Sequence, residues 1–257
     1  MNHGSLFSGI GGFDLAAHWM GWTNLFHCEM NPFCRTVLKH YWPSATSYEN
    51  IKTFDARIHR GTVHIISGGF PCQPFSQAGQ RQGTQDDRYL WPEMLRIIRE
   101  VCPRWVVAEN VFGLTNWNRG MVFDQIYTDL ESAGYQVQSF VLPAAAVGAN
   151  HIRKRIWFVA HADGFGPRGR RYEPLKETHQ ENTNIPGRLF QPEIWTQGTN
   201  ESPVCSRHDG FSFGLDSKTF PRWRSESLKA FGNAIVPQVA YQIFRTIQTF
   251  ETIQEQL

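Results

Sequence analysis

A cysteine that follows a predicted strand, in a turn rich in glycine and proline, is the strongest candidate nucleophile in this sequence. Residues 68–76 read Gly-Gly-Phe-Pro-Cys-Gln-Pro-Phe-Ser, and they follow a short apolar run, residues 63–67, that predicts a buried strand. Cys72 would therefore lie where a strand ends, the position at which α/β sheets place their ligands and reactive groups. A free thiol has a pKa of about 8.5, so the site must lower that pKa or supply a base. Taken alone, the tract is equally compatible with a buried, unreactive cysteine.

Two glutamates also follow predicted strands. Glu29 comes directly after residues 22–28 and 20 positions after Gly9, where a carboxylate suits the ribose hydroxyls of an adenosine-containing cofactor. Glu109 follows residues 104–108 and would lie beside Cys72 at the carboxyl edge of the sheet. A carboxylate there can bind an amidine-like edge such as N3 and N4 of cytosine. Each glutamate could also be an ordinary solvated acid at the end of a strand.

A glycine-rich segment joins the first predicted strand to the first predicted helix. Residues 7–13 read Phe-Ser-Gly-Ile-Gly-Gly-Phe. Glycines at such a junction let the backbone approach a ligand and open the helix N-terminus toward it. The segment lacks the full Gly-x-Gly-x-x-Gly pattern, so a tight turn without a ligand remains the alternative.

Two arginines at alternating positions precede the last predicted strand. Residues 151–155 read His-Ile-Arg-Lys-Arg, and alternation places Arg153 and Arg155 on one side of an extended segment. They could clamp a phosphate or support the site of the nucleophile, or simply form a charged strand entry. Further arginines make the region a local basic cluster that suits a DNA backbone. These are Arg168, Arg170 and Arg171.

Strands and helices that alternate over the first 160 residues would position these groups. Hydrophobic periodicity predicts strands at residues 3–8, 22–28, 63–67, 104–108, 135–142 and 155–160, and helices at residues 13–20, 32–41, 92–101 and 122–133. This order predicts an α/β fold: a doubly wound, mostly parallel sheet with helices on both faces.

The composition changes after residue 160. Residues 161–205 are rich in glycine and proline and carry no periodic apolar run, whereas helical periodicity returns over residues 235–250. We therefore predict a catalytic domain at residues 1–160, a smaller loop-rich domain at residues 161–226, and a C-terminal segment, residues 227–257, that returns to the first domain.

Bulk composition excludes several classes of protein. The formal net charge is only +2, so any surface that binds nucleic acid must be local. The five cysteines form no Cys-x-x-Cys pair, which argues against a zinc site, and an odd number without a secretory leader argues against a disulfide framework. No apolar stretch approaches the ~20 residues that span a membrane. We expect a cytoplasmic protein without a metal or a membrane partner.

Taken together and in order, these motifs closely resemble the cytosine-C5 DNA methyltransferases. The resemblance extends over nearly the whole chain and implies a Rossmann-like methyltransferase core with a separate recognition domain. Six segments carry it: residues 7–13, Glu29, residues 69–76, residues 109–111 (Glu-Asn-Val), residues 153–155 (Arg-Lys-Arg) and residues 232–237 (Gly-Asn-Ala-Ile-Val-Pro).

The resemblance implies S-adenosylmethionine as the cofactor. Asn50 stands where the family usually has an aspartate that faces the adenine amino group, and an asparagine can still accept a hydrogen bond through its oxygen. His64 and His151 also depart from the family pattern without removing a chemical role. The implied cofactor-binding residues are Phe7, Ser8, Gly9, Gly11, Gly12, Glu29, Met30, Asn50, Ile51, Phe70, Leu90, Asn233 and Ala234.

The implied reaction is methylation at C5 of a cytosine flipped out of double-stranded DNA. Cys72 would add to C6, Glu109 would hold N3 and N4, and Arg153 and Arg155 would complete the catalytic set. Residues 77–89 match the loop that closes over the flipped base in this family. The residues expected to contact DNA are Ser76, Gln77, Arg88, Arg168, Arg170, Arg171 and Arg188.

The resemblance implies a monomer acting on double-stranded DNA, and a cognate restriction endonuclease as partner is left open. An RNA cytosine methyltransferase with the same core is the first alternative, which methylation of duplex DNA against tRNA would distinguish. A catalytically silent DNA-binding protein is the second, and the intact catalytic set argues against it. A nicotinamide oxidoreductase is disfavoured because its full glycine pattern is missing.

Overall fold

The computed structural model describes residues 1–71, 89–162, 223–254 and 256, without the side chains of residues 223 and 224. Seven strands within these ranges form one sheet. They are β1 (Asn2–Leu6), β2 (Thr23–Cys28), β3 (Thr46–Tyr48), β4 (Ile65–Gly69), β5 (Trp105–Val111), β6 (Tyr135–Pro143) and β7 (Lys154–Ala162). Their order is β3-β2-β1-β4-β5-β7-β6. The strands from β3 to β5 in this order are mutually parallel, whereas β7 runs antiparallel to both of its neighbours.

Helices cover both faces of this sheet. They are α1 (Gly12–Trp19), α2 (Pro32–Tyr41), α3 (Trp91–Val101), α4 (Met121–Ser132), α5 (Trp223–Asn233) and α6 (Pro237–Gln254), with 3₁₀ turns at Ala56–His59, Phe112–Gly120 and Ala144–Val147. Successive residues of the central strands alternate between the faces, as strand geometry requires. Ile66 and Val106 pack in the layer with α3 and α4, whereas Ile65 and Val107 pack in the layer with α1 and α6.

A buried polar network joins three neighbouring strands below the site. The His3 ring lies 2.6 Å from Asn24 Oδ1 through Nδ1 and 2.7 Å from Ser67 Oγ through Nε2. Asn24 Nδ2 donates to the Asp14 carbonyl, which fixes the amide with its oxygen toward His3. Burial lowers the pKa of His3 to about 4, so the ring is neutral: Nδ1–H donates to Asn24, and Nε2 accepts from Ser67. The network therefore ties β1, β2 and β4 together, with His3 and Asn24 near the amino-terminal ends of β1 and β2.

The predicted fold class is confirmed: the sheet is doubly wound and mostly parallel, with helices on both faces. Two elements escaped the sequence analysis, namely the three-residue strand β3 and the helix α5. Residues 163–222, where we predicted most of the second domain, lie outside the described residues, and the domain division stays a prediction. No helix of the described part of the chain is long and apolar enough to cross a membrane.

Candidate active site

The glycine-rich loop connects β1 to α1 through left-handed backbone conformations. Phe7 has φ 51°, Gly9 φ 55° and Gly11 φ 87°. A Cβ at Gly11 would lie 2.4 Å from the Trp42 ring, so only glycine fits there, whereas a Cβ at Gly9 would meet no atom of the described chain within 4 Å. Ser8 closes the turn, because its carbonyl accepts from Gly11 N at 2.9 Å. The loop therefore presents bare backbone to an open space beside Gly9.

Glu29 holds this loop from the end of β2. Its Oε2 accepts from Gly9 N at 2.8 Å, and its Oε1 accepts from Asn31 N, just before α2, at 2.7 Å. Each carboxylate oxygen has more than one acceptor site, so both can accept from a ligand as well. A diol that enters the open space beside Gly9 would find a carboxylate fixed in place to receive it.

The residues that follow β3 form another side of the open space beside Gly9. Asn50 is exposed, and its Oδ1 accepts from Lys52 N at 3.0 Å, which closes an Asx turn. Ile51 beside it is only 6% exposed, whereas Met30, which follows Glu29, is 70% exposed. Exposed Met30 and Asn50 thus follow two adjacent strands, as the predicted cofactor site requires.

Arg35 connects these two sides of the space, and the sequence analysis missed it. From the first turns of α2, its Nη1 donates to the carbonyls of Glu29 at 3.1 Å and Met30 at 2.6 Å. Its Nη2 lies 3.1 Å from Glu49 Oε1, one residue before Asn50. One guanidinium therefore sets the spacing between the ends of β2 and β3.

Arg96 supports the same turn from behind. On α3, its Nη2 donates to the Ile51 carbonyl at 2.6 Å and its Nη1 to the Phe54 carbonyl at 3.1 Å. Glu93 and Glu100 of the same helix pair with this guanidinium. No sequence motif signals either arginine, because the main acceptors are backbone carbonyls, which every residue carries.

Glu109 lies in β5, which β4 separates from β1 and its glycine-rich loop. It pairs with Gly69 across β4 and β5, and it is 9% exposed. Its Oε1 lies 2.9 Å from Arg155 Nε. Burial raises the pKa of Glu109 to about 7, and this effect exceeds the opposing influence of the Arg155 and Arg153 charges. The carboxyl group can therefore exchange a proton near neutral pH.

The chain that leads to Cys72 is anchored beside Glu109. Asn110 Nδ2 donates to the Phe70 carbonyl at 3.0 Å, while its Oδ1 accepts from Val111 N at 2.8 Å. The Phe70 ring is buried and packs on Trp91 at a centroid distance of 5.1 Å. Leu90, the N-cap of α3, is half-buried and lies one residue after the described chain resumes at residue 89.

Eight of the predicted site residues lie outside the described residues. They are Cys72, Ser76, Gln77, Arg88, Arg168, Arg170, Arg171 and Arg188.

The two arginines that the sequence placed together have different partners. Arg155 pairs with Glu109, whereas Arg153 donates from Nη1 to the Gly232 carbonyl and from Nη2 to the Ala234 carbonyl, both at 2.9 Å. Arg153 has φ 32°, an unfavourable backbone conformation for a residue with a side chain. Arg153 thereby holds the end of α5 and the segment between α5 and α6 against the site.

Ile235, in that segment, lies between the two halves of the site. A Cβ at Gly12 would come within 2.7 Å of the Ile235 carbonyl oxygen, and a Cβ at Gly69 would lie 3.2 Å from Ile235 Cδ1 and 3.3 Å from Glu109 Oε2. Asn233 is exposed and Ala234 is half-buried beside it. The returning segment thus touches both the glycine loop and the Glu109 side.

The residues on the glycine-loop side fit S-adenosylmethionine. The open space beside Gly9 and the remaining acceptor sites of Glu29 suit the ribose, and the turn at Asn50 suits the base. Among the described residues, no three His, Cys, Asp or Glu side chains are grouped to hold a metal ion.

The chain belongs to the C-5 cytosine-specific DNA methylase family, whose model matches residues 1–201. It is 34% identical over 177 residues to the Type II methyltransferase M.AquIA of Picosynechococcus, covering 62% of this chain and 71% of that protein. It is 35% identical over 182 residues to the Type II methyltransferase M.NgoFVII of Neisseria gonorrhoeae, covering 69% of this chain and 48% of that protein. The chain spans about half or less of the length of most curated relatives that it matches.

A solved structure resembles this chain in fold. The S. pombe Dnmt2 methyltransferase aligns with a TM-score of 0.65 over 97% of this chain and 99% of its own, at 14% identity. The seven-stranded sheet with its covering helices is thus the architecture of a known methyltransferase.

Proposed function

We propose that this chain is a DNA (cytosine-5-)-methyltransferase that methylates C5 of a cytosine in duplex DNA. Glu109 carries the proposal: it is a buried carboxyl with a pKa of about 7, paired with Arg155 and opposite Gly69. Cys72 follows Gly69 by three residues, after the anchored Phe70. A nucleophile and a proton donor on adjacent strand ends are what addition to a cytosine ring needs.

The cofactor would lie along the carboxyl ends of β1, β2 and β3. Glu29 would hold the ribose hydroxyls, Met30 and Ile51 would flank the base, and the segment at Asn233 and Ala234 would close the pocket. Bound S-adenosylmethionine supplies the methyl group as an electrophilic sulfonium carbon and becomes S-adenosylhomocysteine.

The C5 atom of cytosine is too weak a nucleophile to take a methyl group directly. The Cys72 thiolate would add to C6, forming the S–C6 bond and shifting the C5=C6 electron pair so that C5 becomes enamine-like. Protonated Glu109 would give its proton to N3 and so neutralise the charge that develops there. After C5 is methylated, loss of the C5 proton to a base restores the C5=C6 bond as the S–C6 bond breaks. Cys72 leaves as a thiolate, and the N3 proton returns to Glu109.

Arg155 and Arg153 would support this chemistry in separate ways. Arg155 orients the Glu109 carboxyl group through its Nε. Arg153 holds the returning segment through the Gly232 and Ala234 carbonyls. The pKa of Glu109 implies that methylation falls as the pH rises above about 7, because the proton donor is then lost.

Because C5 and C6 are stacked inside a duplex, the target cytosine would be flipped out of the helix. We propose that residues 77–89 close over it and that the region after residue 162 reads the DNA sequence. The names of the relatives, Type II methyltransferases, support a role in restriction and modification beside a cognate endonuclease. We further propose that the enzyme is monomeric and cytoplasmic and needs no metal.

A mechanism-based trap tests this function. Duplex DNA that contains 5-fluorocytosine should form a covalent adduct with the native chain in the presence of S-adenosylmethionine, because fluorine cannot leave C5 as a proton does. We expect a band that survives denaturing electrophoresis with the native chain and none with Cys72→Ala, which should still bind duplex DNA.

Cys102→Ala is the matched control, since Cys102 is a partly exposed cysteine at the end of α3, before the start of β5, whereas Glu109 lies toward the other end of β5, and it should retain the adduct. An adduct in Cys72→Ala, or none with the folded native chain, would refute the mechanism. The same assay with tRNA in place of DNA separates the two nucleic-acid substrates.

A further inference from the structure

Asn50 differs chemically from the aspartate expected at its position, and the structure fixes how it differs. We propose that Asn50 recognises the cofactor's adenine by donating from its amide nitrogen to N1 of the purine, rather than by accepting from the 6-amino group. This inference rests on the proposed function, because it requires S-adenosylmethionine in the site.

The orientation of the Asn50 amide follows from its hydrogen bond. Lys52 N donates at 3.0 Å to the side-chain atom assigned as Oδ1. A backbone N–H can only donate, so this atom must be the oxygen, and exchanging oxygen with nitrogen would place two donors against each other. The Nδ2 group therefore occupies the other branch of the amide, and within the described residues it has no hydrogen-bond partner.

The turn that carries Asn50 is rigidly held, so this arrangement is not easily reversed. The Asn50 carbonyl accepts from Thr53 N at 3.2 Å and Phe54 N at 3.1 Å. Arg96 binds the carbonyls of Ile51 and Phe54 from behind. To release Oδ1 toward a ligand, the amide would have to abandon Lys52 N–H.

Topology places residue 50 toward the base of the cofactor. The glycine loop follows β1, the proposed ribose acid Glu29 follows β2, and Asn50 follows β3, the next strand outward. Glu29 N donates to the Tyr48 carbonyl at 3.0 Å, and Arg35 joins Glu29 to Glu49. A nucleoside bound at Glu29 therefore extends its base toward this turn.

The edge of adenine offers one acceptor and one donor, which are N1 and the 6-amino group. An aspartate in the same turn would cap Lys52 N with one oxygen and accept from the amino group with the other. Asn50 can replace only the first of these oxygens, and in place of the second it presents a donor. A donor pairs with N1 and is repelled by the amino hydrogens.

Two analogues of S-adenosylhomocysteine separate these contacts by calorimetry. The 1-deaza analogue keeps the amino group and lacks N1, whereas the 6-deamino analogue keeps N1 and lacks the amino group. We expect the native chain to lose about three- to tenfold in affinity for the 1-deaza analogue and to bind the 6-deamino analogue within about twofold of the parent.

The isosteric variant Asn50→Asp should invert this pattern. It keeps the cap on Lys52 N, so it should lose affinity for the 6-deamino analogue, by about tenfold, and tolerate the 1-deaza analogue. Asn50→Ala removes both groups and should respond to neither change. Thermal unfolding of all three chains checks that the fold is retained.

A native chain that loses affinity for the 6-deamino analogue and not for the 1-deaza analogue would overturn the proposal. Equal responses of the native chain and Asn50→Asp would also overturn it. If the folded native chain does not bind S-adenosylhomocysteine itself, the proposed cofactor site fails, and this inference fails with it.

Discussion

Glu29 and Glu109 lie near the carboxyl ends of two strands in the same sheet, yet their surroundings give them different chemistry. Glu29 is half-buried, and its partners are the backbone N–H groups of Gly9 and Asn31. Glu109 is buried, and its partner is the Arg155 guanidinium. The first arrangement holds a fixed acceptor beside an open space, and the second holds a carboxyl group that can carry a proton.

The fold determines where each carboxylate lies. Its burial and its partners determine whether the carboxyl group stays a hydrogen-bond acceptor or can carry a proton. Burial raises the pKa of Glu109 to about 7, although two arginines oppose the shift. Ile235 packs between the two halves and contacts both. The two carboxylates should therefore respond differently to the same substitution.

The largest contrast should come from Glu109→Gln. Glutamine keeps the shape of the side chain and cannot deliver a proton to N3, so we expect the rate of methyl transfer to fall by about 10²- to 10⁴-fold. The affinity for S-adenosylhomocysteine should change by less than about threefold. Single-turnover methylation of duplex DNA and calorimetry measure the two quantities.

Glu131→Gln, on the exposed side of α4, is the control for that substitution and should methylate at the native rate. Equal losses in rate and in cofactor affinity for Glu109→Gln would mean that Glu109 belongs to the cofactor pocket. The proposed difference in role between Glu29 and Glu109 would then be wrong.

A second test uses the pH dependence of stability. The pKa of Glu109 is raised from 4.5 to about 7 on folding, so its contribution to stability is complete below pH 4.5 and is lost as the pH rises through 7. Glutamine does not titrate, so Glu109→Gln should not lose stability in this way as the pH rises. We expect the free energy of unfolding of Glu109→Gln, relative to the native chain, to rise between pH 5 and pH 8.5 by up to about 3 kcal/mol.

Urea unfolding at both pH values measures this difference. Asp14, which is fully buried and whose pKa burial also raises to about 7, contributes equally to both chains and cancels in the comparison. A relative stability that is the same at pH 5 and pH 8.5 would show that Glu109 stays ionised in the folded state.

The smallest effect of the three should follow Glu29→Gln. The substitution removes a negative charge from the proposed ribose contacts, and a charge-assisted hydrogen bond contributes roughly 1.5–3 kcal/mol. We expect S-adenosylhomocysteine to bind at least about tenfold more weakly, while the rate at saturating S-adenosylmethionine stays within about threefold. Unchanged binding in calorimetry would rule out the ribose assignment.

Much of the fold could be predicted, because the hydrophobic periodicity and the residues that begin and end helices agree in this sequence. The helix predicted at residues 32–41 is α2, since Pro32 takes its first position and Asn31 caps it. The strand β3 was missed because three residues are too few to show alternation. The helix α5 was missed because few of its side chains are apolar and buried, Ala230 among them.

The site was predicted in its residue types and only partly in its contacts. Glu29 and the glycine loop follow the ends of β2 and β1 as predicted, whereas β5 continues to Val111, so Glu109 lies two residues before the end of its strand and not after it. The partners of Arg35, Arg96 and Arg153 could not be predicted, because these side chains bind backbone carbonyls, up to 81 residues away in the case of Arg153. Every residue has a backbone carbonyl, so the residue type at the acceptor position does not reveal such a hydrogen bond.

Bisulfite sequencing of DNA from cells that express this chain tests the central claim most directly. We predict protected cytosines that recur in one short sequence context with the native chain, and none above background with Cys72→Ala expressed at the same level. Complete conversion of cytosine in cells that contain the folded native chain, or equal protection with Cys72→Ala, would contradict the account.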